Sequence, residues 1–189
     1  MAVNLNKEPA KTINLTKVAP GLNNLKAVLS WTQAASAPAF DLDVSAFGCS
    51  NLSGAPKLVS DDFFVFYNNV KSEDGAITKS PDNRSGGSEE LLIDIGALDS
   101  RVNEISIIVT IFEAEKHGQT FGAIADASIK IFNGDTNEEL CYFDLDAQFV
   151  NETAVQVGSL IKDYEGVSFQ GVGAGFVLDL GDFYTGYSN

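Results

Sequence analysis

The sequence predicts an all-β protein, an antiparallel β-sandwich of about eight to ten strands with one or two short helical turns. Three observations favour this fold class. Short segments of alternating or continuously apolar residues recur along the chain, polar clusters such as NLSGAP, SPDNRSGGS and NGDTN separate them, and helical periodicity is scarce. Many short strands joined by polar turns are typical of two packed antiparallel sheets.

The individual strands are predicted from apolar/polar alternation and from apolar runs bounded by turns. In chain order they span 25–32, 39–49, 62–68, 90–95, 104–114, 125–133, 139–145, 153–164 and 166–180, with a Pro-containing turn between the first two. The continuous apolar run at 104–114 favours a central strand. Helical turns are expected at 96–104 and 116–124.

Size and charge limit the classes of function. The 189 residues are expected to form one domain, and no run of about 18 apolar residues is present to span a membrane. The 26 acidic and 12 basic residues give a net charge of −14 without a stripe of lysines and arginines, which argues against nucleic-acid binding. No signal peptide is visible, so we expect a cytoplasmic protein in which Cys49 and Cys141 are reduced.

Motifs typical of enzymes are missing from the sequence. The single histidine, His117, lies in the polar segment EKHGQT, and no G-x-S-x-G, P-loop or C-x-x-C sequence occurs. The glycines of GVGAG at 171–175 lack the spacing of a nucleotide-binding loop and favour tight strand packing. The chain is therefore predicted not to be an enzyme.

The segment AFDLDVSAF at 39–47 contains an unusual pair of acidic residues. Asp41 and Asp43 alternate with apolar residues, so strand geometry puts both carboxylates on one face, about 6–7 Å apart. Aspartate is a poor strand residue, and two such charges repel unless a positive group lies between them. The alternative interpretation is a solvated strand face near a turn.

Oxygen-bearing side chains are dense between residues 61 and 90, in the segments DDFFVFYNN and SEDGAITKSPDNRSGGSEE. Calcium takes six to eight oxygen ligands, whereas zinc would need a Cys/His cluster that the sequence lacks. The EF-hand template does not fit the DG at 74–75. We therefore expect a calcium site built from the 41/43 strand and the 62–90 loops. The alternative is an ordinary polar loop, with Asn68 and Asn69 capping a turn.

Several of these segments together resemble the TerD family, the tellurium-resistance and general-stress calcium-binding proteins of bacteria. The similar segments are FDLDVSAF, DDFFVFYNN, the DG at 74–75, DNRSG and EE, followed by FGAIADASIKIFN, LCYFDLDAQFVNETAVQVGSLIKD and GVSFQGVGAGF. The resemblance covers roughly residues 12–178. It implies a TerD-like β-sandwich domain over 12–189, preceded by a loose N-terminal lead-in over 1–11, with calcium bound at acidic loops and no enzymatic activity.

The resemblance also implies a set of metal ligands and a cofactor of one or two Ca2+ ions. The matching acidic and amide positions are Asp41, Asp43, Asp62, Asn68, Asn69, Asp82, Asn83, Glu89 and Glu90. The loop DNRSGGSEE is shorter than is usual in the family and carries fewer carboxylates, with Ser85 where Thr is usual and Pro81 where Gly is common. The number of ions therefore stays open.

The expected function is that of a calcium-binding stress-response protein of the tellurite-resistance type that acts as a non-enzymatic interaction module. The expected partners are proteins of a stress-response system, and the resemblance alone suggests the inner membrane as their location. Two alternatives stay open. One is an acidic scaffold whose loops only add solubility, and the other is a carbohydrate-binding β-sandwich in which calcium is absent or purely structural.

Overall fold

Two β-sheets packed face to face form the protein in a computed structural model that describes residues 2–6, 11–32, 39–84 and 86–189. The six-stranded sheet contains, in spatial order, β1 (Val3–Asn4), β11 (Glu139–Asp144), β10 (Ala125–Asn133), β3 (Asn24–Thr32), β8 (Gly87–Asp94) and β7 (Ile77–Lys79). All neighbours are antiparallel except β1 and β11. The predicted turn at 33–38 and Ser85 lie outside the described residues.

The second sheet has seven strands. Its spatial order is β2 (Thr12–Asn14), β13 (Gly166–Phe176), β12 (Ala154–Asp163), β9 (Glu104–Ile111), β4 (Leu42–Ser50) and β5 (Lys57–Leu58), and the short β6 (Phe64–Val65) also pairs with β4. Every pair in this sheet is antiparallel. The predicted antiparallel β-sandwich is therefore confirmed.

In the described residues, four helices connect or cover the strands. They are α1 (Leu15–Val18), α2 (Ala114–His117), α3 (Leu145–Gln148) and α4 (Leu180–Ser188), and 3-10 turns occur at Asp61–Phe63 and Phe121–Ala123. No helix in the described part of the chain is long and apolar enough to cross a membrane.

The core between the sheets follows from strand alternation. In β8, Glu89, Leu91 and Ile93 are buried while the residues between them are exposed, as a period of two requires. Leu42 and Val44 of β4 enter the same core from the opposite sheet. This alternation has a consequence for function, because it places a glutamate rather than an apolar residue at the end of the core.

The outer face of the seven-stranded sheet is covered as well. The predicted polar face of β4 is buried in the structure, because α4 packs across it. The Phe47 ring stacks on Phe64 at 4.5 Å and on Tyr187 of α4 at 4.6 Å between ring centroids. Asp43 therefore lies in a strand with both faces shielded from water.

Several predicted boundaries were wrong. The strand predicted at 166–180 ends at Phe176, because Asp179 caps the start of α4, which the sequence analysis did not predict. The strand predicted at 62–68 is a 3-10 turn followed by the two residues of β6, since the chain turns back on itself through backbone hydrogen bonds between Phe66 and Asn69.

The expected helical turns and lead-in also need correction. Residues 96–103 form turns and irregular structure without a helix, and Glu104 begins β9. The segment 116–124 does contain helical structure, in the end of α2 and in the second 3-10 turn. The described part of the lead-in is not loose, because Val3–Asn4 pair with β11 and Leu5 is fully buried. The division into a lead-in and a domain stays a prediction.

Candidate metal centre

Three acidic side chains from both sheets meet at one end of the sandwich. Asp43 lies near the start of β4, Glu89 lies near the start of β8, and Asp82 lies in the loop between β7 and β8. Each offers a carboxylate oxygen, and these oxygens all lie within 4.8 Å of one another. The Asp43 and Glu89 side chains are 3% and 0% exposed, and that of Asp82 is 23% exposed.

Glu89 joins the two sheets. Its Oε2 accepts a hydrogen bond from the backbone N–H of Val44 at 3.1 Å, and its Oε1 accepts one from the N–H of Asn83 at 3.1 Å. Within the described chain, β5 and β6 pair with β4 only from Ala46 onward, so the edge of β4 beside Val44 has no neighbouring strand. The carboxylate thus satisfies a buried backbone donor that would otherwise be unpaired.

Asp43 is the least satisfied member of the cluster. Its Oδ1 accepts no hydrogen bond from any described residue although it is buried, and the same is true of Oδ1 of the neighbouring Asp41. The pKa of Asp43 is raised to about 8, mainly by burial and next by the negative charge of Glu89, while Lys79 opposes the shift. A buried acceptor without a donor is costly and is the kind of atom that a bound cation satisfies.

The pKa of Asp41 is raised as well. Burial is the main cause, and the nearby charge of Asp82 adds to it. Asp41 therefore belongs electrostatically to the same cluster, since four carboxyl groups at positions 41, 43, 82 and 89 repel one another.

A lysine lies inside this acidic cluster. Lys79 Nζ is 2.7 Å from Glu89 Oε1 and 4.0 Å from Asp43 Oδ1, and the Lys79 side chain is 0% exposed. Sequence analysis missed Lys79. The signal that could have found it is the alternation in ITK at the end of β7, which puts Lys79 on the same buried face as Ile77. In the structure, the positive group beside Asp43 is an ammonium from the chain itself.

Two further residues border the cluster. Arg84 Nε lies 2.7 Å from Asp82 Oδ2 on the solvent side, with its side chain 76% exposed. Burial raises the pKa of the Tyr67 hydroxyl, and the charges of Asp43 and Asp82 raise it further. Tyr67 and Asp43 both line a cavity of about 570 Å³ that extends to the start of α4 at Leu180. The sequence analysis predicted neither Tyr67 nor Arg84 at the edge of the cluster.

The remaining predicted ligands lie elsewhere in the described structure. Asp62 and Glu90 are exposed and outside the three-carboxylate cluster, with Glu90 on the outward face of β8. Asn69 Nδ2 donates to the carbonyl of Phe64 at 2.8 Å, which closes a turn, and Asn68 is exposed. Asn83 borders the cluster through its backbone, and its Nδ2 donates to the carbonyl of Gly86 at 3.0 Å. The structure thus gathers Asp43, Asp82 and Glu89, with Asp41 beside them.

A family model described as the TerD domain matches residues 1–187 of the chain. The chain belongs to the TerD family. It is 34% identical to the tellurium resistance protein TerD of Serratia marcescens, with 99% of this chain and 97% of that protein covered. It is 33% identical to general stress protein 16U of Bacillus subtilis (strain 168), with the same coverage of each chain.

Solved structures of other proteins have the same TerD-type fold. A homologue of telluride resistance protein (TerD), SCO6318 from Streptomyces coelicolor A3(2), superposes with a TM-score of 0.74 at 21% identity, covering 89% of this chain and 100% of that one. A protein of unknown function, SAV2460, gives a TM-score of 0.73 at 22% identity, covering 89% of this chain and 99% of that one. At these identities the likeness establishes the fold.

Proposed function

We propose that this TerD-family protein binds calcium through Asp43, Asp82 and Glu89 and serves in the bacterial stress response as a non-enzymatic interaction module. The observation that carries the proposal is the buried carboxylate cluster, in which Oδ1 of Asp43 lacks a hydrogen-bond donor among the described residues. Evolutionary membership of a family of tellurium-resistance and general-stress proteins supports the stress role.

The chemistry of the donors favours a hard divalent cation. The cluster offers oxygen atoms only, and three carboxylates supply three to six ligand atoms depending on whether each binds through one oxygen or two. Backbone carbonyls and water complete the six to eight oxygens that calcium takes. Calcium tolerates irregular geometry, whereas magnesium demands a near-ideal octahedron, so an uneven cluster from a strand pair and a loop suits calcium better.

Bound calcium would supply two positive charges at the point where the two sheets and a loop meet. Asp43 would hold it from the seven-stranded sheet, Glu89 from the six-stranded sheet, and Asp82 from the intervening loop. The ion would thereby relieve the repulsion among buried carboxylates and link elements that are distant in sequence. We infer that the ordered loops and the changed surface charge present a face to protein partners.

The environments of the reactive side chains support the proposal of a non-enzymatic role. Burial raises the pKa of the Cys49 and Cys141 thiols to about 12, so neither is a ready nucleophile. His117 is on the surface, 3.4 Å from Glu113 and next to Lys116. We propose the cytoplasm as the compartment, since free thiols suit a reducing environment.

Thermal unfolding with calcium, magnesium or a chelator tests this function. By mass action, calcium at about 100 times its Kd stabilises the native protein by about 2.7 kcal/mol. Asp43→Asn should lose most of this gain because it removes the charge of a central ligand. Glu90→Gln is the matched control, since Glu90 lies next to Glu89 but is exposed on the opposite face, and it should respond like the wild type.

A flat response of the wild-type protein to calcium would overturn the proposal. It would favour the acidic scaffold, in which the carboxylates only add solubility. Equal responses of Asp43→Asn and wild type would instead show that calcium binds at a different place on the surface.

A further inference from the structure

We propose that Lys79 is a tethered cation that fills the calcium position in the ion-free protein and that calcium must displace its ammonium group in order to bind. This inference rests on the function proposed above and concerns the control of affinity at the same site. The contacts, burial and strand register of Lys79 carry it.

The ammonium group lies among the carboxylates that a metal would use. Its Nζ is 2.7 Å from Glu89 Oε1 and 4.0 Å from Asp43 Oδ1, and the three side chains are between 0% and 3% exposed. In the described chain the group makes these ion pairs without a hydrogen bond of good geometry. The lysine therefore balances the negative charge of the cluster, as a small cation does. Its N–H groups do not point at acceptors with hydrogen-bond geometry.

Strand register holds the lysine in this position. Lys79 is the last residue of β7 and pairs with Leu91, two residues after Glu89 in β8, while Ile77 pairs with Ile93. Ile77 and Lys79 share the buried face of the strand, so the whole lysine side chain extends through the core edge toward the carboxylates. The effective concentration of the ammonium at the cluster is high because the backbone of β7 is fixed by its hydrogen bonds.

Calcium and the ammonium cannot share the cluster. A calcium ion lies about 2.3–2.6 Å from each ligand oxygen, and the ammonium is 2.7 Å from one of those oxygens. Two cations that contact the same buried carboxylate repel strongly, because the surroundings screen their charges less than bulk water does. Calcium affinity therefore equals the attraction of the carboxylates for the ion less the cost of releasing Lys79.

Removing the charge of Lys79 should consequently strengthen calcium binding. We expect Lys79→Met, which keeps the chain length without the charge, to lower the Kd for calcium by about tenfold or more in isothermal titration calorimetry. Arg84→Gln is the matched control. It removes the same charge from a partner of Asp82, but the arginine is exposed, so its effect should stay within about threefold.

The outcomes separate this inference from the proposed function. If the wild type binds calcium and Lys79→Met binds no more tightly, the role of Lys79 is overturned and the calcium function stands. If only Lys79→Met binds, the lysine blocks the site, and the calcium function of the natural chain is overturned. If neither protein binds calcium, both are overturned.

A measurement on the wild-type protein covers the case in which Lys79→Met does not fold. Amine acetylation followed by peptide mass spectrometry reports the exposure of each lysine. Lys79 should react at least about tenfold more slowly than the exposed Lys71 without calcium, and several-fold faster after calcium is added. Calcium binding that leaves the acetylation rate of Lys79 unchanged would show that the ammonium is not displaced.

Discussion

At the scale of single residues, the raised pKa of Asp43 favours the protonated carboxyl group in the ion-free protein below about pH 8. Burial raises its pKa from 3.8 to about 8, the charges of Glu89, Asp41 and Asp82 act in the same direction, and Lys79 acts against them. Between these two pH values the folded protein holds a proton that the unfolded chain releases, so this group stabilises the fold at low pH and loses that effect as pH rises toward 8. Metal binding requires the carboxylate and therefore competes with the proton.

We accordingly predict that calcium affinity rises with pH between 6 and 8 and levels off above 8. One released proton changes the Kd by at most about tenfold per pH unit. Calorimetry in buffers of different ionisation enthalpy should record about one proton released at pH 6 to 7. Glu90→Gln should keep this dependence. A Kd that is constant from pH 6 to 8 would show that Asp43 is already ionised before calcium arrives.

At the scale of secondary-structure elements, α4 is needed to shield β4. The helix begins with a capping box, in which Asp179 Oδ1 accepts the Asp182 N–H at 2.9 Å and Asp182 Oδ2 accepts the Asp179 N–H at 3.0 Å. Phe183 is 8% exposed and meets Phe176 edge to face at 5.4 Å between ring centroids. Because nine residues containing two glycines form a weak helix in isolation, the packing of its aromatic face decides its stability.

We predict that Phe183→Ala lowers the free energy of unfolding by about 3 kcal/mol, since it leaves a cavity against the sheet. Asp179→Ala should cost about 1 kcal/mol through loss of the cap. Urea unfolding measures both, with Tyr164→Ala as the control because Tyr164 is 95% exposed and should change stability by less than about 0.5 kcal/mol. A loss below about 1 kcal/mol for Phe183→Ala would mean that α4 contributes little to the fold.

At the scale of the whole molecule, a bound ion would add a link between two sheets that already meet through the apolar core and the hydrogen bond from Val44 to Glu89. The net charge of −14 opposes compaction, and one calcium ion would offset two of those charges. The acidic cluster is where this repulsion is most concentrated in the buried part of the described chain, with Asp43 and Glu89 on opposite sheets. Calcium bound at this end of the sandwich should therefore stabilise the packing of the two sheets against each other.

We predict a corresponding pattern in hydrogen exchange. Calcium should slow exchange most in peptides from β4 and β8, including the Val44 amide that donates to Glu89, and least in β1 and α4. Asp43→Asn provides the control, because added calcium should leave its exchange unchanged. Uniform slowing across all peptides would indicate global stabilisation without a local link between the sheets.

The fold was predictable from the sequence where alternation governs the strands. β8 and β10 alternate between buried and exposed or half-buried residues over most of their length, whereas β1, β2, β5 and β7 are too short to show a period. The helix α4 was missed although its apolar residues at 180, 183, 184 and 187 have helical spacing. The segment is short and contains two glycines, which lower its helix propensity, and packing against Phe47 and Phe64 stabilises it.

The candidate site was predictable in part. Asp43, Asp82 and Glu89 were among the predicted ligands, because they match acidic positions of the TerD family and lie on the 41/43 strand or in the segment dense in oxygen-bearing side chains. Four other predicted ligands have the same types of side chain but lie outside the cluster in the folded chain: Asp62, Asn68, Asn69 and Glu90. The sequence does not indicate that the turn at Asn69 uses its amide locally. The alternation in ITK indicates that Lys79 is buried, but not that its ammonium reaches the carboxylate of Glu89.

The double hydrogen bonding of Glu89 determines how the site should be dissected by mutagenesis. Glu89→Ala would leave the backbone N–H groups of Val44 and Asn83 without their acceptor, each at a cost of about 1–3 kcal/mol when buried. It would also leave the ammonium of Lys79 without its nearest anion. A loss of calcium binding in that variant would therefore reflect damage to the fold as well as the missing ligand. Asp43, whose buried Oδ1 accepts no hydrogen bond in the described chain, is the more informative position to change.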